Sequence, residues 1–417
     1  MESYQEMSRR LQQAAAGGRL QAEIDAIRAS GNEQELKQLE MLLRPENYPP
    51  VVKLADCMCS DENQTSCAVS CLFEAIRRDK DGKLMITDDC VGCGQCVDRC
   101  EQKVLAGKKD LIPLLQLLKE RETPVYAMIA PAFSGQFSSE VTSGKLRAAF
   151  KQLGFYGMIE VALFADILTL KEALEFDQSI KSDEDFMLTS CCCPMWMALI
   201  RKSFSELIPH VPPSVSPMVA CGRTIKKMHP EAKTVFIGPC IAKKAEARQP
   251  DIADAVDYVL TFDEVGQMFE DAGLDLPNLP EDMSDHSSTA GRIYARTGGV
   301  SKAVQSTLDH LCPDHKIPLR AIQADGMVAC KALLTDVMDG KVKANFMEGM
   351  GCKGGCVGGP KSLLPKEEAT GHVNAYGEQA TYATPAENPY VLEILRRLGF
   401  DTIESLLERD NTFIRKF

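Results

Sequence analysis

KTVFIGPCIAKKAE, Lys233 to Glu246, is a short apolar run that stops at Gly-Pro-Cys and turns at once into a helical pattern. Such a run closed by Gly and Pro reads as a strand delivering a cysteine into a loop at its C-terminal end. The same grammar recurs in VYAMIAPA (Val125 to Ala132), FYGMIEVALF (Phe155 to Phe164) and KVKANFMEGMGC (Lys341 to Cys352). Helical patterns such as SGKLRAAFKQLG (Ser143 to Gly154) and PYVLEILRRLG (Pro389 to Gly399) alternate with them. That alternation predicts an α/β body whose strands feed a site at their C-terminal ends. Upstream, residues 4–44 are rich in Ala, Gln, Glu, Leu and Arg, and the breaks at Gly17-Gly18 and Gly31-Asn32 divide them into two or three short helices. Pro45 and the pair Pro49-Pro50 close this appendage.

A chain of 417 residues has room for two or three domains. Its net charge of -12 argues against a nucleic-acid partner, which selects a basic face. No apolar run reaches membrane-spanning length, and MESYQEMSRRLQQ lacks the apolar core of a signal peptide, so a cytoplasmic protein with no membrane association is expected. No GxGxxG follows a strand, which leaves a direct nicotinamide partner unsupported. In that setting the 17 cysteines point to metal rather than disulfides. Cys221, Cys312 and Cys330 stand alone and read as buried or incidental thiols.

Eight cysteines crowd one segment. CVGCGQCVDRC, Cys90 to Cys100, is the C-x2-C-x2-C-x3-C run in which three thiolates wrap one 4Fe-4S cube and the fourth reaches a neighbouring cube. Zinc would favour two separated ligand pairs. The first set is irregular: Cys57 and Cys59, then Cys67 and Cys71. The intervening LFEAIRRDKDGKLMITDD resembles the helix, turn and strand that join the halves of bacterial two-cluster ferredoxins. On that resemblance Cys57, Cys59, Cys67 and Cys100 hold one cluster, and Cys71, Cys90, Cys93 and Cys96 the other. The compressed CMC, and Glu101 in place of a customary proline, depart from the pattern.

Three further motifs lie in the body: TSCCCPMW (Thr189 to Trp196), GPCIAKKAE (Gly238 to Glu246) and EGMGCKGGCVGGP (Glu348 to Pro360). In this order they resemble the three active-site motifs of the FeFe-hydrogenases, and the likeness covers roughly residues 55 to 417. Composition sets off a helical appendage (1–50), and the resemblance implies an α+β ferredoxin-like domain with two 4Fe-4S clusters (51–106) and a two-lobed α/β catalytic domain (107–417). It makes Cys193, Cys240, Cys352 and Cys356 the ligands of a third 4Fe-4S cluster, with Cys356 bridging to a two-iron subcluster that bears carbonyl, cyanide and a bridging dithiolate amine. Dihydrogen would be made or split at the outer iron.

By the same resemblance Cys192 passes protons to and from the bridging amine, and Glu172 and Glu175, three apart on one helical face, continue the relay. Lys243 would hydrogen-bond a cyanide, Ala130, Pro131 and Ala132 would line the other, and Pro239 and Met350 belong to the motifs around the cofactor. The family's relay serine falls on Pro212-Pro213, so Ser214, another group or water would take that step. Gly238 stands where many members have methionine, which predicts extra room beside the two-iron unit, and Cys191 is an additional thiol without a role. The implied partners are ferredoxin or a similar small electron carrier and the hydrogenase maturation proteins. A hydrogen sensor with slow turnover and a hydrogenase-like iron-sulfur assembly protein are the alternatives.

Overall fold

The computed structural model describes residues 3–30, 32–57, 59, 66–189, 192–282, 284, 286–408 and 412–415. Cys191 lies outside them.

Three helices, Tyr4–Ala16, Leu20–Ala29 and Glu33–Leu43, open the chain. Ser3 and Glu6 form a capping box on the first, and Asn32 caps the third through the amides of Gln34 and Glu35. The apolar faces of the three helices meet in one cluster with Val52 and Ile112. Tyr4 is buried there and its hydroxyl accepts from the Lys109 amide at 3.3 Å.

Four short strands follow: β1 (Val51–Lys53), β2 (Ile76–Arg78), β3 (Leu84–Ile86) and β4 (Leu105–Gly107). β1 pairs antiparallel with β4, and β2 with β3. The short helices Ser66–Val69 and Gln95–Asp98 lie between the strands, giving two similar halves, each with its cysteine set.

The body holds two parallel sheets. One contains β5 (Val125–Ile129), β6 (Gly157–Glu160), β8 (Lys233–Gly238) and β9 (Tyr258–Thr261) in the order β6-β5-β8-β9. The other joins β7 (Met187–Leu188), β10 (Ala321–Asp325) and β11 (Phe346–Met350) in the order β10-β11-β7. Every pairing in both is parallel. Along β5 and β8, Tyr126, Met128 and Phe236 enter one core, whereas Val125, Ala127, Ile129, Val235 and Ile237 enter another on the opposite face. Burial on both faces explains why these strands read as unbroken apolar runs rather than alternating ones.

In the larger sheet the chain runs outward from β5 to β6 and then returns to place β8 on the other flank of β5. Such a reversal opens a crevice beyond the carboxyl ends of the two central strands, the usual place for a ligand in a parallel sheet. The anticipated α/β body is present in this two-sheet form.

Candidate functional site

The loops after β5, β8 and β11 and the segment after β7 meet around one cavity, with about 790 Å3 of unfilled space including its mouth. Cys193, Cys240, Cys352 and Cys356 all line it, although up to 163 positions separate them in the chain. Three local devices deliver them. Cys193 caps the helix Pro194–Ser203, whose first position is the proline that suits a helix start, and its Sγ accepts from the Gly351 amide at 3.3 Å. Cys240 follows β8 directly and leads into the helix Ala242–Glu246. Cys352 and Cys356 bracket Gly354 and Gly355. A side chain on Gly355 would meet the Thr297 amide nitrogen at 2.7 Å, and its φ of +87° is one that L-residues rarely adopt.

Burial pushes the Cys240 thiol up to about 11 and the Cys356 thiol up to about 12, and Cys352 is raised by burial and then by its cysteine neighbours. Three crowded thiols that resist ionisation suit a strongly positive iron centre, which displaces their protons on binding. Among the described residues no three Cys, His, Asp or Glu side chains converge on a point fit for a single metal ion. Thiols distributed around an open cavity instead match the corners of an iron-sulfur cube.

Among the described residues, Lys243 is the only charged side chain in the cavity wall. It is buried, its Nζ donates to Glu246 at 2.6 Å and to the Cys192 carbonyl at 3.2 Å, and the Phe236 ring lies 5.9 Å away. Burial pulls its pKa down, but Glu246 and the thiols of Cys240 and Cys356 more than compensate and hold it above the ordinary lysine value. Cys192 lines the same cavity, and burial first, then Cys193 and Glu172, push its thiol far up, so it keeps a proton at Sγ. Glu172 and Glu175 lie on the long helix Ala162–Ser179 and both are buried, which excludes a solvated helix face. Glu172 acts electrostatically on both Cys192 and the Tyr294 hydroxyl.

Ala130, Pro131, Pro239 and Met350 line the cavity. Ala132 does not. It turns into the core beside Ile129 and Phe133 because Pro131–Phe133 winds as a 3-10 turn. The room expected beside Gly238 is filled: a side chain there would meet the Phe236 ring at 2.9 Å, and Phe236 itself lines the cavity. Ser214 is buried, with its hydroxyl unpartnered among the described residues. Phe236 and Tyr294 are wall residues that the motifs do not mark. The Tyr294 and Thr169 hydroxyls stand 2.8 Å apart. The sole sequence hint for Tyr294 is the Thr-Gly-Gly helix start that follows it.

The other eight cysteines gather in two groups. Cys71, Cys90, Cys93 and Cys96 line one small cavity. Cys59 is raised by desolvation and then by Cys57, Cys67 and Cys100, which places those four together. The two groups meet through Cys67, which acts on Cys96. Cys93 in turn acts on Cys352, and both line one groove at the surface. The cysteine sets therefore form a continuous file from the N-terminal segment to the body cavity.

The family model of the iron only hydrogenase large subunit, C-terminal domain, matches residues 123–360. The chain is 30% identical over 302 residues to the periplasmic Fe hydrogenase large subunit of Nitratidesulfovibrio vulgaris, a match that covers 60% of this chain and 71% of that protein. Iron hydrogenase 1 of Clostridium pasteurianum is 27% identical over 285 residues, covering 58% of this chain and 50% of that one. The cytosolic iron-sulfur assembly component 3 of Bos taurus is 25% identical over 377 residues, covering 74% and 79%. A solved FeFe-hydrogenase of Chlamydomonas reinhardtii superposes with a TM-score of 0.57 at 21% identity, covering 72% of this chain and 98% of that one, a likeness of fold.

Proposed function

The chain belongs to the iron only hydrogenase family, and from that premise we propose that it catalyses the reversible reduction of protons to dihydrogen. Electrons would come from ferredoxin or a similar small carrier. The observation that carries this reading is the convergence of four cysteines, Lys243 and the protonated thiol of Cys192 on one cavity at the sheet's crevice.

Two 4Fe-4S clusters on Cys57, Cys59, Cys67 and Cys100 and on Cys71, Cys90, Cys93 and Cys96 would relay electrons. A third on Cys193, Cys240, Cys352 and Cys356 would receive them through the approach of Cys93 to Cys352. When bound, the two-iron subcluster with its carbonyl, cyanide and dithiolate amine supplies the redox-active iron at which protons, electrons and dihydrogen interconvert. Lys243 offers a fixed ammonium donor to an anionic ligand, locked by Glu246. Ala130 and Pro131 close the facing wall. Cys192 holds a proton at Sγ at the cavity surface, and Glu172 and Glu175 extend the proton route along one helix. Hydrogenase maturation proteins would supply the two-iron unit, and a cytoplasmic setting completes the proposal.

A second reading, an iron-sulfur assembly protein, is favoured by the similarity to the Bos taurus protein. Such a carrier has no use for a buried thiol and carboxylates beside its cluster. Infrared bands of bound carbonyl and cyanide in the matured protein, together with hydrogen evolution from reduced ferredoxin, separate the readings. Bands with turnover support the hydrogenase, bands with very slow turnover point to a sensor, and neither bands nor turnover leaves the assembly protein.

A further inference from the structure

The helix that carries Glu172 and Glu175 also carries a charge that no motif assigns. Lys171 has 0% of its surface exposed. A buried ammonium is costly unless paired, and its Nζ donates to Glu175 Oε1 one turn along the helix. Helix stabilisation does not account for the pair, since lysine preceding glutamate is the weaker order and the helix is held by packing on all sides. The pairing is also incomplete: Glu175 Oε2 is buried and accepts from no donor among the described residues. An open buried acceptor is costly, and a purely structural ion pair would avoid that cost by recruiting a second donor.

Glu175 lies one turn from Glu172, the group that acts on Cys192. The order along the route is therefore Cys192, Glu172, Glu175, Lys171. Resting on the proposed proton reduction, we infer that Lys171 is a positioning residue that holds Glu175 as a carboxylate with Oε2 free to exchange a proton with Glu172. The step moves one proton between a protonated and an ionised carboxyl, and no electron moves. Protonating Glu175 leaves the Lys171 ammonium without its buried counter-ion, so Glu175 releases the proton again instead of trapping it. Burial raises the Glu175 pKa, and Lys171 acts on it in the opposite sense.

The test uses wild type, Lys171→Arg, Lys171→Met and the double variant Lys171→Met/Glu175→Gln. The double variant removes both buried charges, a change that cores usually tolerate. In the apo-protein near neutral pH, Lys171→Met should gain the infrared carbonyl stretch of one buried carboxylic acid that the double variant, the arginine variant and wild type lack. In matured protein, Lys171→Met should slow hydrogen evolution by about tenfold to a hundredfold, with Lys171→Arg restoring most of the rate. On a Glu175→Gln background, Lys171→Met should change turnover no further. An unaltered rate for Lys171→Met in an active enzyme, or the absence of the acid band, overturns the role of Lys171. An inactive wild type that carries the acid-band difference overturns the proton route and the hydrogenase reading while leaving the ion-pair chemistry intact.

Discussion

The N-terminal cysteine segment and the body cavity both gather thiols, but they do so on different length scales. In the segment from β1 to β4, the small β2-β3 hairpin and the pairing of β1 with β4 at the segment's two ends bring the cysteines together, and Cys59 stays exposed. In the body, four thiols arrive from three loops on two sheets and are walled by apolar side chains and the buried Lys243. A local motif can hold a cluster with little surrounding fold. A cavity that must also place a proton and exclude water needs the whole body.

The largest expected effect sets the two regions directly against each other. Cys240→Ala removes a thiolate from the body cavity and should abolish turnover, with about four fewer iron atoms per chain. Cys59→Ala should lose a comparable amount of iron yet leave the carbonyl and cyanide bands intact. Iron analysis and infrared spectra of both variants check this, and loss of those bands from Cys59→Ala would break the separation. Next in size is Cys192→Ala, which should preserve all iron and the infrared bands while hydrogen evolution falls by about two to four powers of ten. Full turnover in that variant removes Cys192 from the proton route.

Smaller effects concern packing. Gly349 in β11 lies so close to Trp196 that an added side chain would approach the ring to 2.0 Å. Gly349→Ala should therefore destabilise the body by about 3 kcal/mol, since ring and strand are both fixed. Gly82, in the turn between β2 and β3, has φ +76° and nothing within 4 Å, so Gly82→Ala should cost only about 1 kcal/mol of backbone strain. Thermal unfolding of the two apo variants gives the order, and a reversed order would contradict the account of a tight body and a loose segment. Cys221→Ala should have an effect of similar size. This thiol is fully buried in the core behind the larger sheet, so its loss should cost roughly 1 kcal/mol with no change in iron.

The sequence by itself determined what adjacency and period can carry. The alternation of apolar runs with helical patterns predicted the α/β body, the spacing from Cys90 to Cys100 raised the expectation of a ferredoxin-like segment, and three motifs nominated the cavity cysteines, Cys192 and Lys243. Tertiary structure decided what depends on distant segments meeting. Phe236 takes the space that Gly238 seemed to leave, because residues two apart on a strand share a face and the ring folds back over the glycine. Ala132 turns to the core where its neighbours face the cavity. No motif marks Lys171, and only the packing of other elements around that helix buries it against Glu175. The period of a helix fixes which residues are neighbours, but burial depends on what covers each face, and for a helix enclosed on all sides no local pattern records it.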